Sequence, residues 1–534
     1  GFVNYGGWLD ASGGTPTAVT GTGIVKLTDS DGTEQLNFAS GSTLYIGVTD
    51  SDRNTDSGTA ETITVTIKSE TESSGETVTL TETGVATGIF QGSIAFEEAS
   101  ASSGDSKLQV SRGDKLTATY VDPADDFGNE ATITDVAFYS VSLKSGAIAV
   151  NTTWSKSDSP FLVTGDVTVS RDKTLTIEAG SEVRFTALSD DQSGGNDANR
   201  GELYVYGTLV AEGTASDTIV FTSNAESPAS GDWYGIYLKD SNAGGSFKYN
   251  RIEYATYGIR SYGLSGSSSD TTYVTNSRMH HSGSAIYFQY SSRYDIIKNN
   301  VLHDLSGYGI GIPWSSNNGS GVIQNNTIYQ TNSTAIFLQY AGSYVISQNK
   351  IDGGSGPGIS ASYMKSITVR EDTVQNKTGY GVEISYSTGY ATSQWKVVSN
   401  VIKDNGNGVR VYYASVTVDS NAISGHNSYG VHLATNFENP VMDTLRYNTI
   451  INNGTYGIYV YEYVSPFVQY NNLYGHDSYD YYNDGSTGNE LDARYNWWGT
   501  TTTAEMNEGD NPKDIAKIYD YYDNSNQGVV NYGG

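Results

Sequence analysis

Cysteine is absent from this 534-residue chain. That one absence removes thiolate nucleophiles, zinc–thiolate sites and iron–sulfur clusters, while leaving the compartment open. Disulfide staples belong to small secreted domains, and a long β-stack does not need them. Basic charge is scarce too, with 30 Lys and Arg against 59 Asp and Glu and a formal net charge of −29. Such a surface repels polyphosphate and anionic lipid, so neither nucleic acid nor a membrane is an expected partner. No uninterrupted apolar run approaches the roughly 18 residues of a membrane span. Long stretches of Glu, Lys, Ala and Leu at helical spacing are missing, so no long helix is expected. The chain starts at Gly1 with no signal sequence before it. For an exported protein this is the expected look of a mature or excised form.

What the chain does have is 61 glycines, 42 tyrosines and only 9 prolines, the texture of a turn-rich, aromatic all-β protein. Its length calls for two or more units. From residue 146 to 534 a short apolar alternation introduced by Gly or Ala recurs. Examples are Ala285-Ile286-Tyr287-Phe288, Ala335-Ile336-Phe337-Leu338, Gly408-Val409-Arg410-Val411 and Gly457-Ile458-Tyr459-Val460. The steps between successive copies run from 22 to 27 residues, about one coil of a β-solenoid each. Asparagines keep the same beat at Asn250, Asn276, Asn300, Asn326, Asn349, Asn400, Asn421, Asn448, Asn472 and Asn496, with Asp372 in the one missing place. An amide that donates to and accepts from the same amide one coil away would form a buried ladder. Period-two logic sends Ile286, Phe288, Val409 and Val411 inward and Tyr287, Phe337, Arg410, Tyr412 and Tyr459 outward.

This pattern resembles the parallel β-helix repeat proteins, the broad pectate-lyase-like group. The segments Thr174–Gly180, Gly207–Gly213, Ile219–Ser223 and Gly231–Ile236 look like that group's first coils, and Tyr495–Thr500 looks like a last one. The resemblance implies a right-handed parallel β-helix and is nearly silent about activity. Residues 11–145 read differently, as strand-like runs separated by turns at sandwich-like spacing. The stretch Leu80–Phe90 resembles immunoglobulin-like modules of large microbial surface proteins, and a β-sandwich is the expected fold.

Residues 3–7 and 530–534 carry the same pentapeptide, Val-Asn-Tyr-Gly-Gly. In β-helix proteins of this type, such a segment followed by Trp-Leu closes the last coil. Here Trp8-Leu9 stands at the front. Residues 1–10 therefore read as a strand completing the β-helix of a preceding unit. The expected joint is Phe2, Val3, Asn4, Tyr5, Trp8 and Leu9 against Val529, Val530 and Tyr532. Two arrangements stay open: one period of a tandem array, or separate subunits joined head to tail.

Calcium is the candidate ion. Asp50, Asp52, Asn54 and Asp56 alternate along a turn, and Asp122, Asp125 and Asp126 can join them from another loop. The turn is not a helix-loop-helix calcium loop, because Thr55 replaces the required glycine. Asp190, Asp191 and Asp197 form a weaker acidic loop, and His280, His281, His303 and Asp304 share turn positions. Hydrolysis needs two grouped carboxylates, yet on the repeated outer face Glu383 stands alone between Ser360 and Arg410, so no enzyme is expected. The outward Tyr287, Phe337, Tyr412 and Tyr459 could contact glycans, or stack on one another to hold the sheet. The sequons at Asn151, Asn332 and Asn453 allow glycosylation where the machinery exists. The leading expectation is a structural repeat unit of an extracellular fibre or giant surface adhesin, with copies of itself as partners. The alternatives are a carbohydrate-binding adhesin module and a polysaccharide lyase or hydrolase.

Overall fold

A computed structural model describes residues 21–225, 227–264, 271–315, 319–386, 395–435, 443–485 and 490–533. The expected linking strand, with Phe2, Val3, Asn4, Tyr5, Trp8 and Leu9, lies outside the described residues. Contacts divide the chain into two compact units between Ser142 and Leu143.

The second unit is an all-β parallel solenoid. A 13-stranded sheet takes one strand from each coil, and a 27-stranded path carries the two remaining columns of strands. In-register pairing stacks like on like: Ile286 on Ile310, then Ile336, Ile359, Val382, Val409, Val431 and Ile458. These side chains are fully buried and share one continuous core. The bore is packed with apolar groups rather than open.

The buried amide ladder is present, in a register that differs from the sequence expectation at two places. Asn300 donates to Asn326, Asn326 to Asn349, Asn400 to Asn421, Asn421 to Asn448 and Asn448 to Asn471, at 2.9–3.0 Å between amide nitrogen and oxygen. Each of these amides also donates to a strand carbonyl, as Asn326 does to Ile297 at 3.1 Å. The ladder member near the end is Asn471, not Asn472, and at the start Ser277 holds the place expected for Asn276. In both pairs the neighbouring residue also carries a polar side chain, so spacing alone could not choose. Asn276 instead sits one residue earlier in the turn at φ 53°, and Asn299 donates to it at 3.2 Å in an exposed outer ladder.

A second buried column explains the glycines of the repeated motif. The backbone N–H of Asn405 donates to His426 Nδ1 at 3.1 Å, and that of Asn453 donates to His476 Nδ1 at 3.1 Å. A Cβ on Gly408 would lie 2.8 Å from the His426 ring, and one on Gly457 would lie 2.5 Å from the His476 ring. Burial holds both imidazoles neutral, with the pKa of each lowered to about 4.

The abundant tyrosine also has a structural use. Tyr340, Tyr363, Tyr386 and Tyr413 occupy left-handed turns with φ between 51° and 53°. That conformation costs a non-glycine residue about 1–2 kcal/mol. Cross-coil stacking offsets it, with ring centroids 4.4 Å apart for Tyr340–Tyr363, 4.7 Å for Tyr363–Tyr386 and 5.2 Å for Tyr386–Tyr413.

The first unit is a mixed nine-stranded sheet in which eight strands follow one hydrogen-bonded path and the ninth, Lys107–Gln109, pairs beside it with Ile89–Glu97. That path does not divide into the two separate sheets expected of a sandwich. The long strand Ile89–Glu97 joins its parts, pairing with Thr43–Thr49 along its length and with Glu76–Glu82 near its start. Leu27, Ile46, Val65, Leu80, Phe90, Leu116 and Ala118 form its core. Among the described residues the one α-helix is Gly499–Met506, and no helix is long and apolar enough to cross a membrane.

Asp372 tests the ladder. Its Oδ1 accepts from the Asn349 backbone at 2.6 Å and side chain at 2.9 Å, while its Oδ2 has no partner. In every neighbouring coil the corresponding atom is a donor nitrogen, so only a protonated carboxyl fits. Burial pushes this carboxyl up to about 7, from about 3.9 in an unfolded chain. The folded state binds this proton more tightly, so its contribution to stability is complete at low pH and is lost as pH rises toward 7 and above. Asp372→Asn should raise the melting temperature at pH 8 and leave it nearly unchanged at pH 4, as read by circular dichroism. An equal shift at both pH values would refute a protonated ladder carboxyl.

Candidate functional site

Three regions carry chemistry-bearing side chains: the outer face of the motif strands, two acidic loop clusters, and the closing coil.

On the outer face, register aligns Tyr287, Gly311, Phe337, Ser360, Glu383, Arg410, His432, Tyr459 and Tyr482 in one column. Ring faces there are largely taken by neighbouring rings. Tyr308 stacks on Phe337 at 5.2 Å and 15°, and Tyr459 stacks on Tyr482 at 5.2 Å and 7°. The Arg410 guanidinium lies 4.7 Å from the Tyr412 ring centre and pairs with Glu383 at 2.9 Å. Glu383 is the sole carboxylate among the named residues of this column, and Arg410 is its partner.

In the first unit, backbone donors gather the acids expected to bind calcium. Gly21 N–H donates to Asp52 at 3.0 Å, Thr22 to Asp126 at 3.0 Å and Gly23 to Asp122 at 2.7 Å. Asp50 is buried, accepts from the Tyr120 hydroxyl at 2.5 Å, and has its carboxyl pushed up by that burial. Asp56 and Asp125 instead serve their own turns, accepting from Gly58 at 2.9 Å and Phe127 at 2.8 Å. Asp52 Oδ1, Asn54 Oδ1 and Glu61 Oε2 are buried acceptors without a donor. Among the described residues no three His, Asp or Glu side chains form a metal-binding group.

The second acidic cluster has members that sequence reasoning missed. Asp190 and Asp191 lie against Gly165, and behind them Asp166 and Glu202 are buried. The Glu202 backbone donates to Asp166 at 3.1 Å, and Glu202 Oε2 has no partner. Burial, followed by the neighbouring Asp190, pushes Asp166 up to about 6. Burial, with Asp166 beside it, pushes Glu202 up to about 8. The available signal was a glutamate at the head of the apolar strand Glu202–Val205, directly after an acidic loop able to fold over it.

The histidines satisfy one another. His280 and His281 Nδ1 lie 2.6 Å apart, His280 Nε2 lies 3.1 Å from Glu253, and Arg278 Nε donates to His303 Nε2 at 3.0 Å. His303 Nδ1 meets Asp304 at 2.7 Å.

The closing coil holds the C-terminal half of the expected joint. Val530–Asn531 pairs in parallel with Leu491–Asp492. Leu491 N–H donates to Val529 O at 2.8 Å, and Ala493 N–H donates to Asn531 O at 2.9 Å. Val530 and Tyr532 are buried in the solenoid core, whereas Asn531 turns outward and donates to Glu490 at 2.6 Å. The Tyr532 hydroxyl accepts from Lys513 N–H at 2.9 Å. On its other edge the Val530 N–H donates to the buried carboxylate of Asp520 at 2.8 Å. Beside it lies a cavity of about 610 Å³ whose lining mixes Pro512, Tyr521 and Val529 with the polar Glu490, Asn511 and Gln527.

Fold and site together define an all-β parallel solenoid protein. Residues 209–374 and 262–415 match the model of the right handed beta helix region, so the solenoid is a right-handed parallel β-helix. Residues 355–496 match that of a periplasmic copper-binding protein (NosD), a family consistent with a place outside the cytoplasm. No curated protein matches the chain. Among the described residues of the matched span, copper finds no fitting site. His426 and His476 serve the buried column, and His432 Nδ1 lies 3.0 Å from the Tyr380 hydroxyl on the outer face.

Glu202 and Asp166 make stability fall with rising pH, because the folded state holds their protons above the unfolded values of about 4. Glu202→Gln should flatten the decline in melting temperature between pH 5 and 8. A slope unchanged from the parent would show that the pair is not protonated.

Proposed function

We propose that this chain is a structural repeat unit of an extracellular fibre or giant surface adhesin, joined head to tail through its N-terminal segment and the C-terminal end of its β-helix. One observation carries the reading. The pentapeptide shared by residues 3–7 and 530–534 supplies, in its second copy, the last strand of the solenoid. The load would run along the axis through coil-to-coil hydrogen bonds. The first unit, read as an immunoglobulin-like module, would act as a spacer, and the β-helix as a non-enzymatic relative of the pectate-lyase-like group. The acidic exterior suits a place outside the cell and offers nothing to nucleic acid or a membrane interior. A glycan-binding reading of Tyr287, Phe337, Tyr412 and Tyr459 has less support, because neighbouring rings and Arg410 occupy the faces a sugar would use.

Electron microscopy of the purified chain at rising concentration should show rods or filaments with an axial repeat near one subunit length. Monomers at every concentration in sedimentation velocity would overturn the fibre reading.

For calcium, the support is the three donor-less oxygens of Asp52, Asn54 and Glu61 in one loop. A hard cation takes six to eight such oxygens, so main-chain carbonyls and water would complete the shell. Millimolar calcium should raise the melting temperature of the first unit by several degrees, and a chelator should reverse the rise. Asp52→Ala should abolish it, and a calcium effect that survives this substitution would place the ion elsewhere.

A further inference from the structure

We infer that the groove beside His281 and Asp304 is a binding site for a guanidinium group, the arginine side chain of a partner segment. The site stands whether or not the chain builds a fibre.

Four successive coils build it. Tyr254, His281, Asp304 and Gln330 each occupy a left-handed turn position, with φ between 49° and 64°. They lie at or beside the ends of the strands Asn250–Glu253, Arg278–Ser282, Val301–Leu305 and Thr327–Thr331. Parallel pairing of those strands sets the four residues in one column. At about 4.8 Å per coil the column is about 14 Å long. With Asn332 it lines a cavity of about 560 Å³.

Hydrogen bonding around the column uses every ring nitrogen of His280, His281 and His303 but one. Arg278 Nε donates to His303 Nε2 at 3.0 Å, so the His303 proton sits on Nδ1 and is donated to Asp304 Oδ2 at 2.7 Å. The Glu253 carboxylate lies 3.1 Å from His280 Nε2, which fixes a proton on that nitrogen. Burial holds His280 neutral, with its pKa lowered to about 4. Its Nδ1 is therefore a bare acceptor, and His281 Nδ1, 2.6 Å away, is the donor. The neutral His281 ring then presents Nε2 as a lone pair. That nitrogen faces Asp304 Oδ2 at 4.0 Å, with 51% of the imidazole and 36% of the carboxylate side chain exposed.

Two acceptors at that distance have no hydrogen to share. One nitrogen carrying two hydrogens reaches both, since each bond spans about 2.9 Å. Among the described residues that line the cavity there is no lysine or arginine, and Arg278 is committed to His303. The net charge of −29 draws cations toward the molecule. A guanidinium carries its donors in a flat fork and stacks on aromatic rings. Tyr254 supplies the ring, 5.7 Å from that of His281. The Gln330 and Asn332 amides each donate and accept, which suits the main chain on either side of an arginine. A column of this length fits a segment of several residues better than a free ion.

Isothermal titration calorimetry with the blocked tripeptide acetyl-Gly-Arg-Gly-amide should show saturable binding with a dissociation constant below about 1 mM. The citrulline counterpart keeps the shape and drops the charge. It should bind at least about tenfold more weakly, and so should methylguanidinium, which lacks the main chain. Asp304→Asn should cut the affinity for the arginine peptide at least about tenfold. His281→Lys, which tethers a cation in the groove, should abolish binding. Asp419→Asn removes a carboxylate from the 13-stranded sheet and should leave binding unchanged, which separates the local site from the overall field. Equal binding of the arginine and citrulline peptides, or heat from neither, overturns the site without any variant having to fold. An affinity untouched by Asp304→Asn overturns it too. Methylguanidinium bound as tightly as the peptide would reject the partner segment. Saturation by methyl glucoside and not by the arginine peptide would make the groove a polyol site and reject the guanidinium.

Discussion

The structure depends on one constraint: a polar group buried in the bore must find its partner in the coil above or below. A side-chain amide meets it because it donates and accepts at once. Asn300, Asn326 and Asn349 therefore repeat the same two hydrogen bonds coil after coil, and the strand registers follow. The aromatic turns obey the same constraint in apolar form. A tyrosine in a left-handed turn is unfavourable alone, yet Tyr340, Tyr363 and Tyr386 each meet a ring 4.4–4.8 Å away in an adjoining coil.

Charge is arranged around that constraint. The surface can hold a net charge of −29 because water solvates it, but an acid inside the stack is tolerated mainly as a carboxyl. Asp372 in the ladder and Glu202 beneath its loop are both pushed up by burial, to about 7 and about 8. Histidine in the buried column is held neutral for the same reason. At the last described strand, Val530–Asn531, a side chain meets the same demand: Asp520 Oδ2 accepts from Val530 N–H at 2.8 Å.

Most of the fold was legible because the repeat is written in apolar residues at fixed places. Ile286, Ile336 and Val409 could be put inside from alternation alone, and 0% of each is exposed. The ladder was legible as a beat and not as a register. Asn471 and Asn472 are adjacent amides, and only the turn geometry decides which faces inward. In the front unit, strands such as Thr62–Ser69 follow their alternation, whereas the joining of all nine into one sheet arises from pairings distant in sequence. Of the candidate sites, the shared pentapeptide was visible without coordinates. The Asp166–Glu202 pair was not, since 36 residues separate its members and neither stands in a motif.

The sequence by itself determined that the chain coils, roughly where each coil returns, and which side of each strand is apolar, because these follow from local periodicity. Tertiary structure alone decided which of two neighbouring amides enters the ladder, which acids are buried together, and that a cavity opens beside the repeated segment at the end. Those outcomes depend on how backbone turns bring distant residues within hydrogen-bond reach, and no spacing along the chain encodes that distance.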